Sequence, residues 1–265
     1  MAVIKTYVFV DLETTGLPNQ ENNKTRITEL CLVVVKREQI LATSHGATPR
    51  VQHKLTLCFN PERPISAIAS EMSGLNNELL NNQPTFNMDT FTTINTFLNN
   101  LPKPICLIAH NGHSFDFPIL KNHLLKLGVS LSEDLHYADT IYGFYDNDME
   151  DKKAMHTNTS STNECGKRSL VGNDDDSGSI KKIKLEENIN RYSQPKHNKG
   201  RPRVSYALGN IYERIFARKA ENAHCAEGDC IILLKCFVAH AQQMVQWVDE
   251  NNSLFSKIAA MPLVD

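Results

Sequence analysis

An apolar segment near the start of the chain ends in two carboxylates, and this feature constrains the fold more than any other. Residues 5–12 are predicted to form a buried strand, and Asp11 and Glu13 stand at its end in the sequence DLETTG. Side chains two positions apart on a strand point to the same face, so these two carboxylates converge. Neighbouring anions repel each other, and burial raises the pKa of each further. The strand must therefore end where a cation or solvent offsets that charge.

The two segments that follow extend this strand into a sheet. ITELCLVVVK (27–36) predicts a second strand, and HKLTLCFN (53–60), in which apolar and polar residues alternate, predicts a third. The segments ENNK and HGATPR are typical of connections. Three strands joined by such links predict an antiparallel meander.

Helices and strands then alternate along the chain. Helical spacing predicts helices over 64–75, 87–101, 116–128, 204–217 and 226–250, the last with a break near His240, and apolar runs predict strands over 104–110 and 136–140. A meander followed by alternating helices and strands indicates an α/β fold with a mixed sheet flanked by helices.

Residues 146–202 depart from this pattern. The segment has few large apolar residues and many Asn, Ser, Asp and Lys, so it cannot bury enough surface to offset its conformational entropy. We therefore predict a disordered, charged insert within a single discontinuous domain of residues 1–145 and 203–265. Basic residues over 167–184 fit a bipartite nuclear-localisation pattern, and an inert, solvated charge cluster is the alternative.

The overall composition excludes several classes of protein. The 265 residues carry a net charge of −2, so a polyanion would have to be bound locally rather than by a general basic surface. The seven cysteines form no Cys-x-x-Cys pair, which favours a reducing compartment without disulfides. A zinc site at His224, Cys225 and Cys230 lacks a second pair of ligands. No apolar run approaches the roughly 18 residues of a membrane span, and no secretory signal is recognisable, so we expect an intracellular protein.

The carboxylate pair of the first strand is typical of a divalent metal site. Mg²⁺ and Mn²⁺ prefer carboxylate oxygens together with water and phosphate. Gly16 follows two threonines and lets the backbone turn close to a ligand. An exposed acidic pair at a strand end is the alternative, and the pair alone does not decide between the two.

Two later segments place carboxylates at the start of helices. In AHNGHSFDFPIL (109–120), Asp116 opens a predicted helix, where an anion is favoured, although a simple helix cap is the alternative. In HCAEGDCIILL (224–234), Asp229 lies at the front of an apolar helix, five residues after His224. At about 100° per residue the two would point apart on a regular helix, so His224 is expected on the entry turn. A surface histidine is the alternative for His224.

Together these residues predict a hydrolytic metal centre. Asp11, Glu13, Asp116 and Asp229 could hold two metal ions about 3.5 to 4 Å apart. One ion would orient a water towards phosphorus, and the other would stabilise the leaving 3′ oxygen. Histidine ordinarily titrates near neutral pH, so His224 is predicted to take the proton from the attacking water.

The same motifs resemble those of a known family. DLETTG, AHNGxxFDFPIL and HxAEGD, in this order, resemble the three motifs of the DEDDh class of 3′-to-5′ exonucleases, which have the DnaQ-like, ribonuclease-H-like fold. FVDLETTGLP, SGL (73–75), YALGNIYERIF and QWVDENN are similar to the three-prime repair exonucleases, and the resemblance covers the chain outside the insert. It implies a Mg²⁺-dependent enzyme, with Mn²⁺ as a substitute, that removes nucleotides one at a time from single-stranded or frayed DNA 3′ ends in DNA repair or DNA catabolism.

The resemblance also assigns roles to particular residues. It implies the four metal ligands and the general base named above, and it implies that the terminal nucleotides contact Glu13, Thr14, Leu17, Met72, Phe115 and His224. An apolar wedge such as Leu17 or Met72 suits stacking on a base, which tolerates any sequence. An ordinary core position is the alternative for Met72. The family also implies a homodimer through the edge strand 53–60, whose backbone groups would otherwise be unpaired.

Some features depart from the family or leave its activity open. The membrane tail of one family branch is absent, which argues against membrane tethering. The insert 146–202 is longer and more charged than the family pattern, and it could supply a basic DNA clamp or be inert. The motifs do not distinguish DNA from RNA, because that depends on a contact to the 2′-hydroxyl. An RNA 3′ exonuclease and, less favoured, an inactive nucleic-acid-binding protein are therefore alternatives.

Overall fold

Six strands form one mixed sheet in the computed structural model, which describes residues 3–148 and 204–262. In chain order they are β1 (Thr6–Thr14), β2 (Ile27–Lys36), β3 (His53–Cys58), β4 (Ile105–Ala109), β5 (His136–Asp139) and β6 (Ser253–Leu254). The order across the sheet is β3-β2-β1-β4-β5-β6. Residues 3–144 and 206–262 belong to one unit, which contains all six strands.

Helices of very different length connect and cover these strands. They are α1 (Arg37–Ala42), α2 (Ala67–Ser73), α3 (Asn77–Leu80), α4 (Met88–Asn99), α5 (Asp116–Lys126), α6 (140–148), α7 (Leu208–Phe216), α8 (Ala226–Ala239) and α9 (Ala241–Asn251), with short 3₁₀ turns at Pro18–Gln20 and Phe255–Lys257. Among the described helices, none combines the length and the apolar character needed to cross a membrane. Apart from 146–148, the predicted insert lies outside the described residues, so its boundaries and its nuclear-localisation pattern stay predictions.

The predicted mixed sheet with a meander is confirmed. β1 pairs antiparallel with β2, and β2 with β3, whereas β4 and β5 run parallel to β1. Four of the helices and strands were not predicted, namely α1, α3, α6 and β6. The link between β2 and β3 contains α1, and β6 pairs antiparallel with β5, so β5 is not the last strand. With six and two residues, α1 and β6 are too short to show a periodic pattern.

β1 supplies alternate side chains to two cores on opposite faces of the sheet, as the period of a strand requires. Tyr7 and Phe9 join the core that contains α8, where the ring of Phe237 meets that of Phe9 edge-on at 5.4 Å. Val8 and Val10 join the other core, beneath α4 and α5. Because both faces are covered, β1 is a nearly continuous apolar strand until its last residues.

The end of β1 extends past its parallel neighbour. Pairing with β4 covers Thr6 to Phe9, whereas pairing with β2 continues to Thr14. On the β4 side, the N–H of Leu12 donates instead to Oδ1 of Asp116, the first residue of α5, at 3.1 Å. The start of α5 thus lies beside the last residues of β1 in place of a neighbouring strand. This leaves room for polar side chains at the end of β1.

His123 fastens α5 to the sheet close to this opening. The ring is buried; Nδ1 lies 2.9 Å from the carbonyl oxygen of Ile119, and Nε2 accepts the N–H of Ile27 at 3.4 Å. Ile27 pairs with Thr14 at a register shift of the β1–β2 ladder. Burial, followed by smaller effects of Lys126 and Arg26, lowers the pKa of His123 to about 4, although its bond to Ile119 opposes this. The ring is therefore neutral in the folded protein and accepts one bond while donating the other.

We expect acid to weaken the fold through this histidine. Its folded pKa of about 4 lies below its ordinary value of 6.5, so the unfolded chain takes up the proton more readily. The stabilisation is complete above pH 6.5 and is lost as the pH falls towards 4. This contributes about 2 to 3 kcal/mol between about pH 7.5 and about pH 4.5. Urea unfolding of wild type and His123→Gln, which does not titrate, should show a steeper pH dependence for wild type. Equal slopes would contradict the assignment.

Candidate functional site

Three carboxylates from two distant parts of the chain converge at the end of β1. One oxygen from each of Asp11, Glu13 and Asp229 lies within 4.8 Å of the others. Asp11 and Glu13 share a face because they stand two positions apart on β1. Asp229 comes from the first turn of α8, which packs on β1 and β2. The predicted convergence of a strand end and a helix start is therefore what the structure shows.

Asp116 adjoins this cluster without belonging to the closest set. It is the first residue of α5, is 4% exposed, and accepts the N–H of Leu12 through Oδ1. Its charge is close enough to raise the pKa of Asp11. Of the four predicted metal ligands, three thus lie together and the fourth lies beside Asp11.

The carboxylates of the site oppose one another's ionisation. Burial, with smaller contributions from Asp116, Asp229 and Glu13, raises the pKa of Asp11 well above its ordinary value. Burial, followed by Asp229 and Glu29, raises the pKa of Glu13 to about 7. Such a cluster is unfavourable in its ionised form unless a cation offsets the repulsion.

His224 lies on the turn into α8, as predicted. It precedes the helix, its side chain is exposed, and its backbone has a φ of +70°, in the left-handed region. Its N–H donates to Oδ2 of Asp229 at 3.0 Å. This bond links the predicted general base to a predicted metal ligand, and it partly opposes the effect of burial, which raises the pKa of Asp229.

Leu17 and Met72 are exposed apolar side chains on segments next to the cluster. They are 51% and 54% exposed. Met72 lies on α2, whose start is tied to the end of β1 because the N–H of Ser66 donates to the carbonyl oxygen of Thr15 at 2.8 Å. The exposure excludes the alternative that Met72 is a core residue, and it leaves both side chains accessible to a ligand.

Thr14 and Phe115 have less exposed positions. Thr14 is 6% exposed, and its hydroxyl donates to the carbonyl oxygen of Gly16 at 3.1 Å. The hydroxyl therefore shapes the turn that follows β1. Phe115 is half-buried against the core beneath α5 and immediately precedes Asp116.

Sequence reasoning missed Asp139, a carboxylate that is 1% exposed at the end of β5. Oδ1 accepts the N–H groups of Asn111 and Ile141 at 2.8 and 3.1 Å, and Oδ2 accepts that of His113 at 3.0 Å. Asp139 thus holds the turn that leads from β4 into Asp116. An acidic residue that ends an apolar strand was the available signal, the same one that identified Asp11.

Comparison with known proteins decides the family. Residues 8–162 match the model of the exonuclease family described as RNase_T. The chain is 32% identical to bovine three-prime repair exonuclease 1, covering 98% of this chain and 71% of the relative. It is 33% identical to human three prime repair exonuclease 2, covering 98% of this chain and 93% of the relative. The chain belongs to the exonuclease family. It is a hydrolase of the 3′-to-5′ exonuclease type.

Solved structures agree on the fold. The nuclease domain of 3′hExo, a DEDDh family member bound to rAMP, has a TM-score of 0.55 at 11% identity, covering 91% of this chain and 94% of that one. The ssDNA complex of exonuclease I from E. coli has a TM-score of 0.54 at 12% identity, covering 93% of this chain and 43% of that one. At such low identity these structures establish only the fold, which is the ribonuclease-H-like fold of the DEDDh exonucleases.

The donor set of the site fits the divalent metal on which this family depends. Three carboxylates offer hard oxygen ligands within 4.8 Å of one another, and their pKa values are raised by burial and repulsion. A divalent cation with oxygen coordination removes that repulsion. A soft metal would instead require thiolate or imidazole ligands.

Proton and metal should therefore compete at this site. The pKa of Glu13 is about 7, so lowering the pH protonates a ligand that the metal needs. We expect the apparent dissociation constant for Mn²⁺ to rise about tenfold or more between about pH 8 and about pH 6. Isothermal titration calorimetry at both values measures it. An affinity that does not change with pH would place the metal elsewhere.

Proposed function

We propose that this exonuclease removes nucleotides one at a time from the 3′ ends of DNA, from single strands or frayed ends, and releases nucleoside monophosphates with Mg²⁺ as its cofactor. The observation that carries the proposal is the convergence of Asp11, Glu13 and Asp229 within 4.8 Å. Asp116 stands beside them, and His224 lies on the adjoining turn. This set of side chains suits hydrolysis of a phosphodiester.

The four carboxylates and His224 have different roles in the proposed reaction. Asp11, Glu13, Asp116 and Asp229 would hold two Mg²⁺ ions, which Mn²⁺ could replace. When bound, the ions supply positive charge that favours ionisation of the attacking water and departure of the 3′ oxygen. His224 accepts the proton of that water, because its exposed ring can turn towards the cluster from a helix entry.

The exposed apolar side chains position the 3′ end of the DNA substrate. Leu17 and Met72 provide surfaces on which the terminal bases stack, an interaction that does not depend on sequence. Phe115 packs beneath the terminal sugar. The Thr14 hydroxyl already donates to Gly16, so we assign the contact between Thr14 and the terminal nucleotide to the Thr14 backbone. Glu13 contacts the nucleotide through its carboxylate, next to the scissile phosphate.

Relatives at 31 to 33% identity support DNA as the substrate, since they are named as repair exonucleases and align with nearly the whole chain. The fold itself is shared with a 3′-exonuclease that recognises a histone mRNA stem-loop. An RNA 3′ exonuclease is therefore the second candidate. An inactive binding protein is less favoured, because all five catalytic positions carry competent side chains.

A matched pair of substrates separates these candidates. Wild type and His224→Ala are incubated with Mg²⁺ and a 5′-labelled single-stranded DNA, or with an RNA of the same sequence. We expect DNA to shorten in single-nucleotide steps with wild type only. Shortening of the RNA alone would keep the chemistry and change the substrate class. Binding without shortening of either strand would contradict catalysis.

We also propose a homodimer that forms through the edge strand β3. β3 (His53–Cys58) is an edge strand, two residues shorter than the predicted 53–60, and several of its side chains are exposed. Its outer backbone groups are available to pair with a second copy. Light scattering of wild type and a Thr56→Pro variant tests this, since proline removes a backbone donor.

A nuclear location through the pattern over 167–184 is likewise a proposal.

A further inference from the structure

The helix that carries Asp229 is held at its start by a residue from another element. The residue that caps α8, Cys225, makes no side-chain cap bond. The N–H of Ala226, the first residue of α8, donates instead to Oε2 of Glu29 at 2.9 Å. The first N–H groups of a helix have no partner within it, so such a bond fixes where the helix begins.

Glu29 occupies an unfavourable place for a carboxylate. It lies on β2 directly opposite Glu13 and is half-buried. Like charges opposite each other destabilise a sheet. An apolar or neutral residue would pair more favourably at this position of β2. The Glu29 carboxylate instead serves as an acceptor, weakly for Sγ of Cys58 on β3 at 3.9 Å and closely for the first N–H of α8.

The anchored residue lies between His224, on the turn into α8, and Asp229, in the first turn of α8. Ala226 follows His224 by two residues and precedes Asp229 by three, all within the entry turn. The bond from His224 N–H to Asp229 closes this turn on itself. Glu29 attaches the closed turn to β2, next to the register position of Glu13. The exposed ion pair of Glu227 with Lys54 links the same turn to β3.

We propose that Glu29 is a positioning residue of the exonuclease, which sets the location of Asp229 and His224 relative to the carboxylates of β1 without touching substrate or metal. This inference rests on the proposed function. It requires that Glu29 act through the length of its side chain and the oxygen that accepts the N–H of Ala226, and not through its charge.

Three substitutions separate reach from charge. Glu29→Gln keeps the length and the acceptor, so kcat should stay within about twofold of wild type. Glu29→Asp keeps the charge but is one methylene shorter and no longer reaches Ala226. We expect kcat of Glu29→Asp and of Glu29→Ala to fall about tenfold to a hundredfold, because small displacements of catalytic groups have effects of this size. KM for the oligonucleotide should change little.

Glu227→Gln is the matched control. Glu227 stands on the same turn and pairs with Lys54 at 2.6 Å, but both side chains are well exposed. Its removal should leave kcat unchanged. Thermal melting of every variant, with kinetics measured well below its melting transition, separates loss of folding from misplacement of the catalytic groups.

If wild type degrades DNA and Glu29→Asp retains full kcat, the positioning role is wrong. If wild type itself is inactive, the proposed function fails instead. If Glu29→Ala does not fold, the comparison of Gln with Asp still decides.

Discussion

Replacing Asp11 with asparagine is expected to abolish hydrolysis while stabilising the metal-free protein. Burial and the charges of Asp116, Asp229 and Glu13 raise the pKa of Asp11, so its ionised form opposes folding when no cation is bound. Removing that charge should raise the free energy of unfolding by about 1 to 3 kcal/mol in EDTA. Loss of a ligand should lower kcat by at least about a hundredfold.

The pH dependence gives this prediction its sign. A carboxyl whose folded pKa is raised destabilises the fold increasingly as the pH rises above its ordinary pKa. The advantage of Asp11→Asn should therefore be larger at about pH 8 than at about pH 5. Asp134→Asn is the control, because Asp134 is exposed, its pKa is lowered chiefly by a hydrogen bond from Lys103, and its loss should destabilise slightly without changing kcat. A metal-free Asp11→Asn protein less stable than wild type would contradict the electrostatic account.

Gly228→Ala is expected to impair both stability and activity, although alanine normally favours a helix. A Cβ at Gly228 would lie 1.8 Å from the carbonyl oxygen of Asn222 and 2.9 Å from Sγ of Cys225. The turn that carries His224 would have to move. We expect the free energy of unfolding to fall by about 1 to 3 kcal/mol and kcat by about tenfold to a hundredfold.

A second glycine provides the matched control for this substitution. Gly209 lies in α7, and a Cβ there meets nothing within 4 Å. Gly209→Ala should therefore stabilise the protein by about 0.5 to 1 kcal/mol through helix propensity alone and leave kcat unchanged. Urea unfolding and steady-state kinetics on both variants test the pair. A Gly228→Ala protein that behaves like Gly209→Ala would show that the entry turn tolerates displacement.

The sequence predicts those parts of the site that local pattern determines. Asp11 and Glu13 follow from the period of an apolar strand, and Asp229 follows from its place at the start of an apolar helix. For each of these elements, the local sequence pattern indicates which face is buried and where the element begins or ends. The three carboxylates converge because the helix that carries Asp229 packs on β1 and starts beside the end of that strand.

Contacts that depend on packing could not be predicted in the same way. Asp139 and Glu29 act on backbone N–H groups 28 and 197 residues away, and nothing in their own segments indicates which amides they meet. Thr14 shows the converse limit. The family resemblance assigns its region to substrate, but the structure engages its hydroxyl with Gly16. Local pattern identifies polar side chains near a site and leaves their partners open.

The most direct test of the account measures 3′ shortening of a 5′-labelled single-stranded DNA by wild type and Asp229→Asn, each with Mg²⁺ or with EDTA. Asparagine keeps an oxygen that can accept the N–H of His224, so the entry turn should remain folded while the charge is lost. We expect a ladder of single-nucleotide steps from wild type with Mg²⁺ and from no other combination. A ladder from Asp229→Asn, or from wild type in EDTA, would show that the carboxylate cluster at the end of β1 is not the catalytic metal site.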